Sequence, residues 1–374
     1  MFKEKRNNLT ASCIEEGENG KICGVDGEKK KLRMTNKIRV AIGLSGGVDS
    51  ATSALLLKEK GYEVAGVTMK IGLEDEDARV AEAREVAKRL DIDFLVFDLA
   101  KEWAKEVASY IQTSLLAGLT PNPCVKCNEK IKFSLLPRLA FSNGFDKFAT
   151  GHYAKTYFDQ TTNRAILQRG NDRKKDQSYF LYRVEQEILA RTIFPLGDLT
   201  KQEVRKIAAA AGFAASKKPD SQDFCAGDIT RFMNQEERNG VIVNKDGKIL
   251  AHHKGFWNFT VGQRKGLGIG GGGTPYYVTR INGEKNEVVV AFREEALVQE
   301  FEVENPVWVS QGPTQGPVEA LVKVRSAGEP KAGVQLIGTK CICPGGIFGV
   351  APGQSAVFYS LDGERVLAGG IIKP

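Results

Sequence analysis

Short apolar runs alternate with helix-forming segments in the first half of the chain. Ile38–Leu44 is a run of apolar and β-branched residues, which is typical of a buried parallel strand. Ala51–Lys60 is rich in alanine and leucine and is followed by Gly61, so it predicts a helix. The alternation predicts an α/β domain with a doubly wound, mainly parallel sheet. Further strands are expected at Glu63–Met69 and Phe94–Asp98, and further helices at Glu76–Leu90, Lys101–Leu116 and Lys201–Ala211.

The pattern changes from about Val241 onward to short strands that are separated by Gly, Asn and Pro. Such spacing is typical of barrels, so we expect a small central β-rich module followed by a C-terminal β-barrel. Gly262–Gly273 is too rich in glycine for a helix or a strand and is predicted to be a loop. The predicted strands are Tyr276–Arg280, Glu287–Phe292, Val303–Val309, Glu319–Val324 and Ser355–Tyr359.

Composition and charge narrow the classes of function. The 374 residues are 42% hydrophobic and 26% charged, as in an ordinary globular protein of two or three domains. No apolar run approaches the roughly 18 residues that a membrane span needs, so we expect a cytoplasmic protein without a membrane partner. The net charge is +7, and lysine and arginine outnumber acidic residues between Arg169 and Lys218. A solvated helical surface and a surface for a polyanion both remain compatible with this segment.

Ser45–Ser50 reads Ser-Gly-Gly-Val-Asp-Ser and lies between the first strand and the first helix. Backbone N–H groups at such a helix N-terminus favour a phosphate or pyrophosphate, and glycines let the backbone approach it closely. Asp49 is expected either to hold Mg²⁺ or to cap the helix. The loop lacks the Gly-Lys-Ser/Thr ending of a Walker A motif. It therefore predicts a phosphate or pyrophosphate site of a different class.

Three cysteines lie in polar segments of a chain whose seven cysteines and missing secretion signal disfavour a disulfide framework. Cys124 and Cys127 lie in Thr120–Asn128, whose prolines predict a non-helical loop between two helices. Cys225 lies in a second polar turn. A thiol near cations or a helix N-terminus is a candidate nucleophile, whereas an isolated cysteine is usually a small buried hydrophobe. The polar surroundings favour the first alternative.

Together these segments resemble the tRNA-specific 2-thiouridylases of the MnmA/TrmU family, which belong to the PP-loop ATP pyrophosphatases. The resemblance runs in family order from Ile38 to the C-terminus. It implies a Rossmann-like, adenine nucleotide alpha-hydrolase-like PP-loop domain at 37–232, after an extension at 1–36 that we expect to be flexible. It also implies a small tRNA-contacting module at 233–295 and a β-barrel at 296–374. Besides the loop it rests on Thr120–Phe133, Gly151–Ala154, Lys175–Leu181, Thr260–Gly270 and Ala351–Tyr359.

The resemblance further implies a reaction in which ATP, with Mg²⁺, adenylates the C2 carbonyl oxygen of the wobble uridine in tRNA. A persulfide on Cys225, loaded by a sulfur-carrier or cysteine-desulfurase relay protein, would then deliver sulfur. Cys127 would be the nucleophile that releases the sulfur or closes a transient disulfide with Cys225. The implied ATP-binding residues are Gly43, Leu44, Ser45, Gly46, Gly47, Val48, Asp49, Ser50, Met69 and Gly151. The implied tRNA-binding residues are Asn122, Pro123, Cys124, His152, Lys175, Asp176, Gln177, Arg325, Ser326 and Gln354.

Cys124 departs from the family, most of whose members carry aspartate at this position. Cys124, Cys127 and Cys225 together form a three-cysteine set that can ligate a 4Fe–4S cluster with one open iron site. The alternative keeps the persulfide and makes Cys124 a spectator or a resolving thiol. His152 has a structural and an RNA-contacting interpretation. Two other functions also stay open, namely a PP-loop ligase for a small molecule and a non-catalytic RNA-binding protein.

Overall fold

A five-stranded parallel sheet forms the centre of the first domain. The computed structural model describes residues 37–213, 229–233, 235–270 and 273–374. The strands of this sheet are β1 (Arg39–Gly43), β2 (Glu63–Lys70), β3 (Asp93–Asp98), β4 (Lys147–Ala149) and β7 (Thr192–Ile193), and a separate hairpin holds β5 (Ala154–Asp159) and β6 (Arg164–Arg169). The order across the sheet is β3-β2-β1-β4-β7, with every neighbouring pair parallel.

The helices of this domain follow the strands in alternation, which confirms the predicted fold class. Two of the helical stretches contain π-helical segments, at Ala104–Ala108 and Asn128–Leu135. Short 3-10 turns occur at Ser178–Leu181, Ile229–Phe232, Phe256–Asn258 and Glu294–Ala296. The α-helices are α1 (Val48–Glu59), α2 (Glu76–Arg89), α3 (Ala100–Trp103), α4 (Ser109–Leu116), α5 (Pro123–Cys127), α6 (Leu136–Ser142), α7 (Gln186–Ala190) and α8 (Lys201–Ala210).

The strand order reverses on either side of β1. From β1 the chain continues to β2 and β3 on one side, whereas β4 and β7 lie on the other. Open parallel sheets bind ligands in the crevice at the carboxyl ends of the strands that flank such a reversal. The segments that leave this edge are Ser45–Ser50 after β1 and Thr150–His152 after β4. The topology therefore places the predicted phosphate loop at the crevice.

The second half of the chain is built of β-structure, as predicted. A four-stranded sheet has the order β10-β11-β8-β9, and the last six strands close a barrel in the order β12-β15-β14-β13-β16-β17. The sheet strands are β8 (Gly240–Asn244), β9 (Ile249–His253), β10 (Tyr277–Asn282) and β11 (Glu287–Ala291). The barrel strands are β12 (Leu297–Trp308), β13 (Val318–Lys323), β14 (Lys331–Ile337), β15 (Lys340–Phe348), β16 (Ser355–Tyr359) and β17 (Val366–Ile372).

One prediction about local structure is wrong. Pro121 and Pro123 were expected to keep Thr120–Asn128 from becoming helical, but α5 begins at Pro123 itself. Proline is favoured at the first helical position, because its missing N–H has no intrahelical partner there in any case. The predicted helix at Lys101–Leu116 is present, with a π-helical segment at Ala104–Ala108.

In the described part of the chain, no helix is both long enough and apolar enough to cross a membrane.

Candidate active site

The second residue of the Ser45–Ser50 loop, Gly46, has a backbone conformation that favours glycine. Gly46 has φ +77°, and a Cβ there would lie 2.6 Å from the Cβ of Glu82. The hydroxyl of Ser50 accepts a hydrogen bond from the Ser45 N–H at 3.2 Å and donates to the Gly47 carbonyl at 3.1 Å. Gly47 is the N-cap of α1 and brings no side-chain acceptor to the N–H groups of the first turn. The loop is therefore suited to an external anion.

Asp49 lies in the first turn of α1, but its carboxylate is directed to other elements. It accepts hydrogen bonds from the ammonium group of Lys201 at 2.7 Å and 2.8 Å and from the Tyr153 hydroxyl at 2.8 Å. The alternative in which Asp49 caps the helix is wrong, because the N-cap is Gly47 and no side chain caps α1. An interaction with Mg²⁺ stays a prediction.

Gly151 and Met69 both lie beside this loop. A Cβ on Gly151 would lie 2.8 Å from the carbonyl carbon of Asp49 and 2.9 Å from the Ser50 nitrogen, so glycine lets the end of β4 pack against α1. Met69 is buried near the end of β2 and lines a small cleft with Ser45 and residues of the following segment and α2. Contact of either residue with adenosine stays a prediction.

The helix that carries the paired cysteines is held at its start by Asn122. The side-chain oxygen of Asn122 caps α5 by accepting a hydrogen bond from the Val125 N–H at 3.2 Å. Cys127 is only 2% exposed and shares its hydrophobic cluster with Met69, whereas Cys124 is partly buried. The expectation that Cys127 lies in a polar turn is therefore wrong. Cys225, the other predicted catalytic residue, lies outside the described residues.

The C-terminal barrel contacts the turn before α5. Nε2 of Gln354 donates to the Pro121 carbonyl at 3.0 Å, and Oε1 accepts from Asn122 Nδ2 at 3.2 Å. The Thr120 N–H donates to the Pro352 carbonyl at 2.8 Å. The barrel therefore fixes the segment that leads to Cys124 and Cys127.

His152 follows β4 and packs against two aromatic rings. Its Nδ1 lies 2.8 Å from the Thr150 hydroxyl, and its ring centroid lies 5.3 Å from that of Phe133 and 6.3 Å from that of Phe194. Desolvation, with a smaller contribution from Lys132, lowers the pKa of His152 well below its usual value. His152 is therefore neutral at neutral pH and carries no positive charge for a phosphate.

Several predicted RNA-binding residues hold other parts of the protein together. The Asp176 side chain is 0% exposed and is paired with Arg169 at 2.9 Å. Gln177 Oε1 accepts from the Tyr153 N–H at 3.0 Å. Arg325 is partly buried and donates to the carbonyls of Gly349 and Val261. Lys175 is partly buried, Ser326 is exposed, and Pro123 is the first residue of α5. Contacts of all these residues with RNA stay predictions.

The basic segment of the sequence contains cations that are buried rather than solvated. Arg169 and Lys201 are both buried and both paired with carboxylates. Sequence reasoning missed the pairing of Lys201 with Asp49, because the two residues are 152 positions apart. The only local signal was the capping box formed by Thr200 and Glu203, which predicts the start of α8 but not the direction of Lys201.

Three family models match consecutive parts of the chain. They are described as the tRNA methyl transferase HUP domain at residues 38–227, the tRNA methyl transferase PRC-barrel domain at 229–292 and the aminomethyltransferase beta-barrel domain at 298–372. The tRNA-specific 2-thiouridylase MnmA of Endomicrobium trichonymphae is 40% identical over 361 residues, which cover 91% of this chain and 100% of that protein.

The chain belongs to the MnmA family of tRNA-specific 2-thiouridylases. The MnmA protein of a Picosynechococcus species is 41% identical over 349 residues, which cover 90% of this chain and 98% of that protein. A solved 4-thiouridine synthetase–RNA complex with bound ATP is 19% identical with a TM-score of 0.37, and covers 51% of this chain and 46% of that chain. A TM-score this low supports no conclusion about the present chain.

Proposed function

We propose that this MnmA-family chain thiolates the wobble uridine of tRNA at C2 in two steps, of which the first consumes ATP. In that step O2 of the uridine attacks the α-phosphorus of ATP and displaces pyrophosphate. The product is a uridine whose C2 carries AMP as a leaving group. The Ser45–Ser50 loop would hold the phosphates, because its N–H groups lie at the N-terminus of α1, where the N-cap Gly47 offers no side chain to bond them.

In the second step the terminal sulfur of a Cys225 persulfide attacks C2 and expels AMP. The thiolate of Cys127 then attacks the sulfur that remains bound to Cys225. The bond between the two persulfide sulfurs breaks, 2-thiouridine leaves, and a Cys127–Cys225 disulfide forms. An external thiol reduces this disulfide, and a sulfur-carrier or cysteine-desulfurase relay protein supplies the next persulfide.

The observation that carries this proposal is that Cys127 shares a buried cluster with Met69, which lines a cleft with Ser45 of the phosphate loop. The phosphate loop follows β1, and Met69 near the end of β2 belongs to the same buried cluster as Cys127. His152 leaves the end of β4 and packs on Phe133, six residues after Cys127 on the same helical stretch. These contacts support the proposal that the phosphate loop and Cys127 serve one crevice, as a base that must undergo both steps requires.

Mg²⁺ fits this site as an ion that enters with the nucleotide. The loop brings one carboxylate, Asp49, and Lys201 and Tyr153 already bind it. Among the described residues there is no group of three or more side chains that could hold a metal ion. Mg²⁺ prefers phosphate oxygens and water supplemented by one or two carboxylates. When bound, it would neutralise charge on the phosphates.

The position of Cys124 favours a second version of the sulfur-transfer step. Cys124 and Cys127 are three residues apart on α5, which places both on one side of the helix. Two thiolates so placed suit a 4Fe–4S cluster, and Cys225 would have to supply the third. Such a cluster would offer an open iron for sulfide. Iron analysis after anaerobic purification separates the two versions, because an active, iron-free protein contradicts the cluster.

Release of pyrophosphate from ATP is the direct test of the first step. We expect release only when a uridine-containing tRNA is present, and no release with tRNA whose wobble base is cytidine. ATP cleavage without tRNA would favour the small-molecule ligase. Absence of cleavage under all conditions would favour a protein that only binds RNA.

A further inference from the structure

We infer that Lys201 belongs to the nucleotide site, where its ammonium group neutralises Asp49 and so allows the Ser45–Ser50 loop to accept the phosphates of ATP. This inference rests on the proposed use of ATP at that loop. Lys201 is thereby a positioning residue, because it affects the phosphates through Asp49 and not by direct contact.

The geometry of the pair is well defined. Nζ of Lys201 lies 2.7 Å and 2.8 Å from the two carboxylate oxygens of Asp49, and the Tyr153 hydroxyl donates to one of them at 2.8 Å. Nζ also lies 5.8 Å from the centre of the Tyr153 ring. Lys201 is 8% exposed, which is unusual for a lysine. The carboxylate therefore receives its cation from a buried side chain.

The start of α8 is fixed independently of the nucleotide loop. Thr200 and Glu203 form a capping box, and the Lys201 N–H donates to the Asp172 carboxylate at 3.0 Å. These bonds set the position of the Lys201 backbone, and the side chain of Lys201 extends from there to α1. Lys201 is thus directed at Asp49 by contacts that do not involve the loop.

Electrostatics explains why the loop needs this cation. Asp49 lies in the first turn of α1, the region whose N–H groups would receive the phosphates. An uncompensated carboxylate there would repel the phosphates at a separation of a few Å, where Coulomb energies are large in a partly buried site. Lys201 cancels this charge. A salt bridge that served only the fold would leave the affinity for phosphates unchanged.

The test compares binding of ATP and of adenosine to the full-length protein by titration calorimetry. We expect Lys201→Gln to weaken ATP binding by about tenfold or more, which corresponds to about 1.4 kcal/mol, and to leave adenosine binding unchanged. Lys206→Gln changes an exposed lysine on the same helix and is the matched control, with no effect on either ligand. In an Asp49→Asn background, Lys201→Gln should change ATP affinity by less than about twofold, since no charge remains to be neutralised.

Three outcomes would overturn the inference. They are an unchanged ATP affinity in Lys201→Gln, an equal loss of ATP and adenosine binding, and the same loss of ATP affinity in the Asp49→Asn background. If Lys201→Gln does not fold, Asp49→Asn alone decides. It should bind ATP within about twofold of the wild type, because the carboxylate whose charge Lys201 neutralises is gone, and markedly weaker binding contradicts the inference. Absence of ATP binding by the wild type would instead overturn the proposed function itself.

Discussion

Gln354 in the barrel holds Asn122, the residue that caps the helix carrying Cys124 and Cys127. The Oε1 atom of Gln354 accepts from Asn122 Nδ2 at 3.2 Å, while Asn122 Oδ1 accepts from the Val125 N–H. Gln354 Nε2 bonds the preceding carbonyl, that of Pro121. The orientation of the cysteine-bearing helix therefore depends on a residue 232 positions away in the sequence.

Replacement of Gln354 should impair sulfur transfer more than nucleotide binding. Gln354→Ala removes two hydrogen bonds, each of which contributes about 1 kcal/mol, and releases the turn before α5. We expect roughly a tenfold fall in the rate of 2-thiouridine formation and an unchanged Kd for ATP. Gln335→Ala, which changes an exposed glutamine on β14, is the control and should retain full activity. Equal rates for the two variants would contradict the proposed coupling.

Gly46 and Gly247 allow the effect of steric contact to be separated from that of backbone conformation. Both have positive φ, +77° and +80°, but a Cβ would meet Glu82 at 2.6 Å in the first case and nothing within 4 Å in the second. Gly247→Ala should cost about 1 kcal/mol of stability from φ alone. Gly46→Ala should cost at least about 2 kcal/mol and abolish ATP binding, because the loop must move. Thermal unfolding and ATP titration of both variants test this, and equal losses would show that the contact with Glu82 is unimportant.

Local sequence patterns predicted the helices and strands, whereas contacts between residues far apart in the sequence determine the geometry of the site. Ser355–Tyr359 was predicted with the bounds that β16 has, because its apolar run is limited by turn residues on both sides. The prediction at Pro123 was wrong because proline prevents a helix at interior positions but is favoured at the first helical position, where α5 has it. Cys127 is buried in the hydrophobic cluster that also contains Met69 and Trp103, which its own polar neighbours in sequence do not reveal.

The environment of Asp49 could not be predicted from its motif. A Ser-Gly-Gly-Val-Asp-Ser loop indicates phosphate binding, but it does not say which cation meets the aspartate. Lys201 and Tyr153 reach it from separate elements, and only the packing of α8 and of the segment after β4 against α1 brings them together.

The desolvation of His152, which lowers its pKa, should make stability depend on pH. Desolvation lowers its pKa in the folded protein, so the unfolded chain binds a proton below about pH 6.5 that the folded chain does not. Stability should therefore fall as the pH falls below about 6.5, by up to about 1.4 kcal/mol per pH unit for one histidine. His253, whose pKa burial also lowers, acts in the same direction.

Denaturant unfolding of His152→Gln between pH 7 and pH 5 measures this contribution. We expect a shallower dependence on pH than in the wild type. A slope for His152→Gln equal to that of the wild type would show that the histidine does not exchange protons with folding in this range.

Loss of one partner from the buried pair of Arg169 and Asp176 should destabilise the fold far more than loss of one partner from an exposed pair nearby. Their side chains are 5% and 0% exposed, whereas those of Arg173 and Glu364 are each 36% exposed. Arg169→Met leaves a buried carboxylate without its cation and should cost about 3–5 kcal/mol. Arg173→Met should cost less than about 1 kcal/mol. Urea unfolding compares the two, and similar losses would mean that Asp176 is not confined to the interior.

The central claim is that this chain uses ATP to place sulfur on a tRNA uridine. The most direct measurement is nucleoside analysis by mass spectrometry of unmodified tRNA after incubation with the protein, ATP, Mg²⁺, a cysteine desulfurase with cysteine as persulfide donor, and a reducing thiol. We predict 2-thiouridine together with an equal amount of AMP in the wild type, and neither 2-thiouridine nor turnover in Cys127→Ser and Cys225→Ser. Cys341→Ser, which changes a cysteine buried in the barrel, should retain the product. Absence of 2-thiouridine in the wild type, or its formation without ATP, would contradict the account.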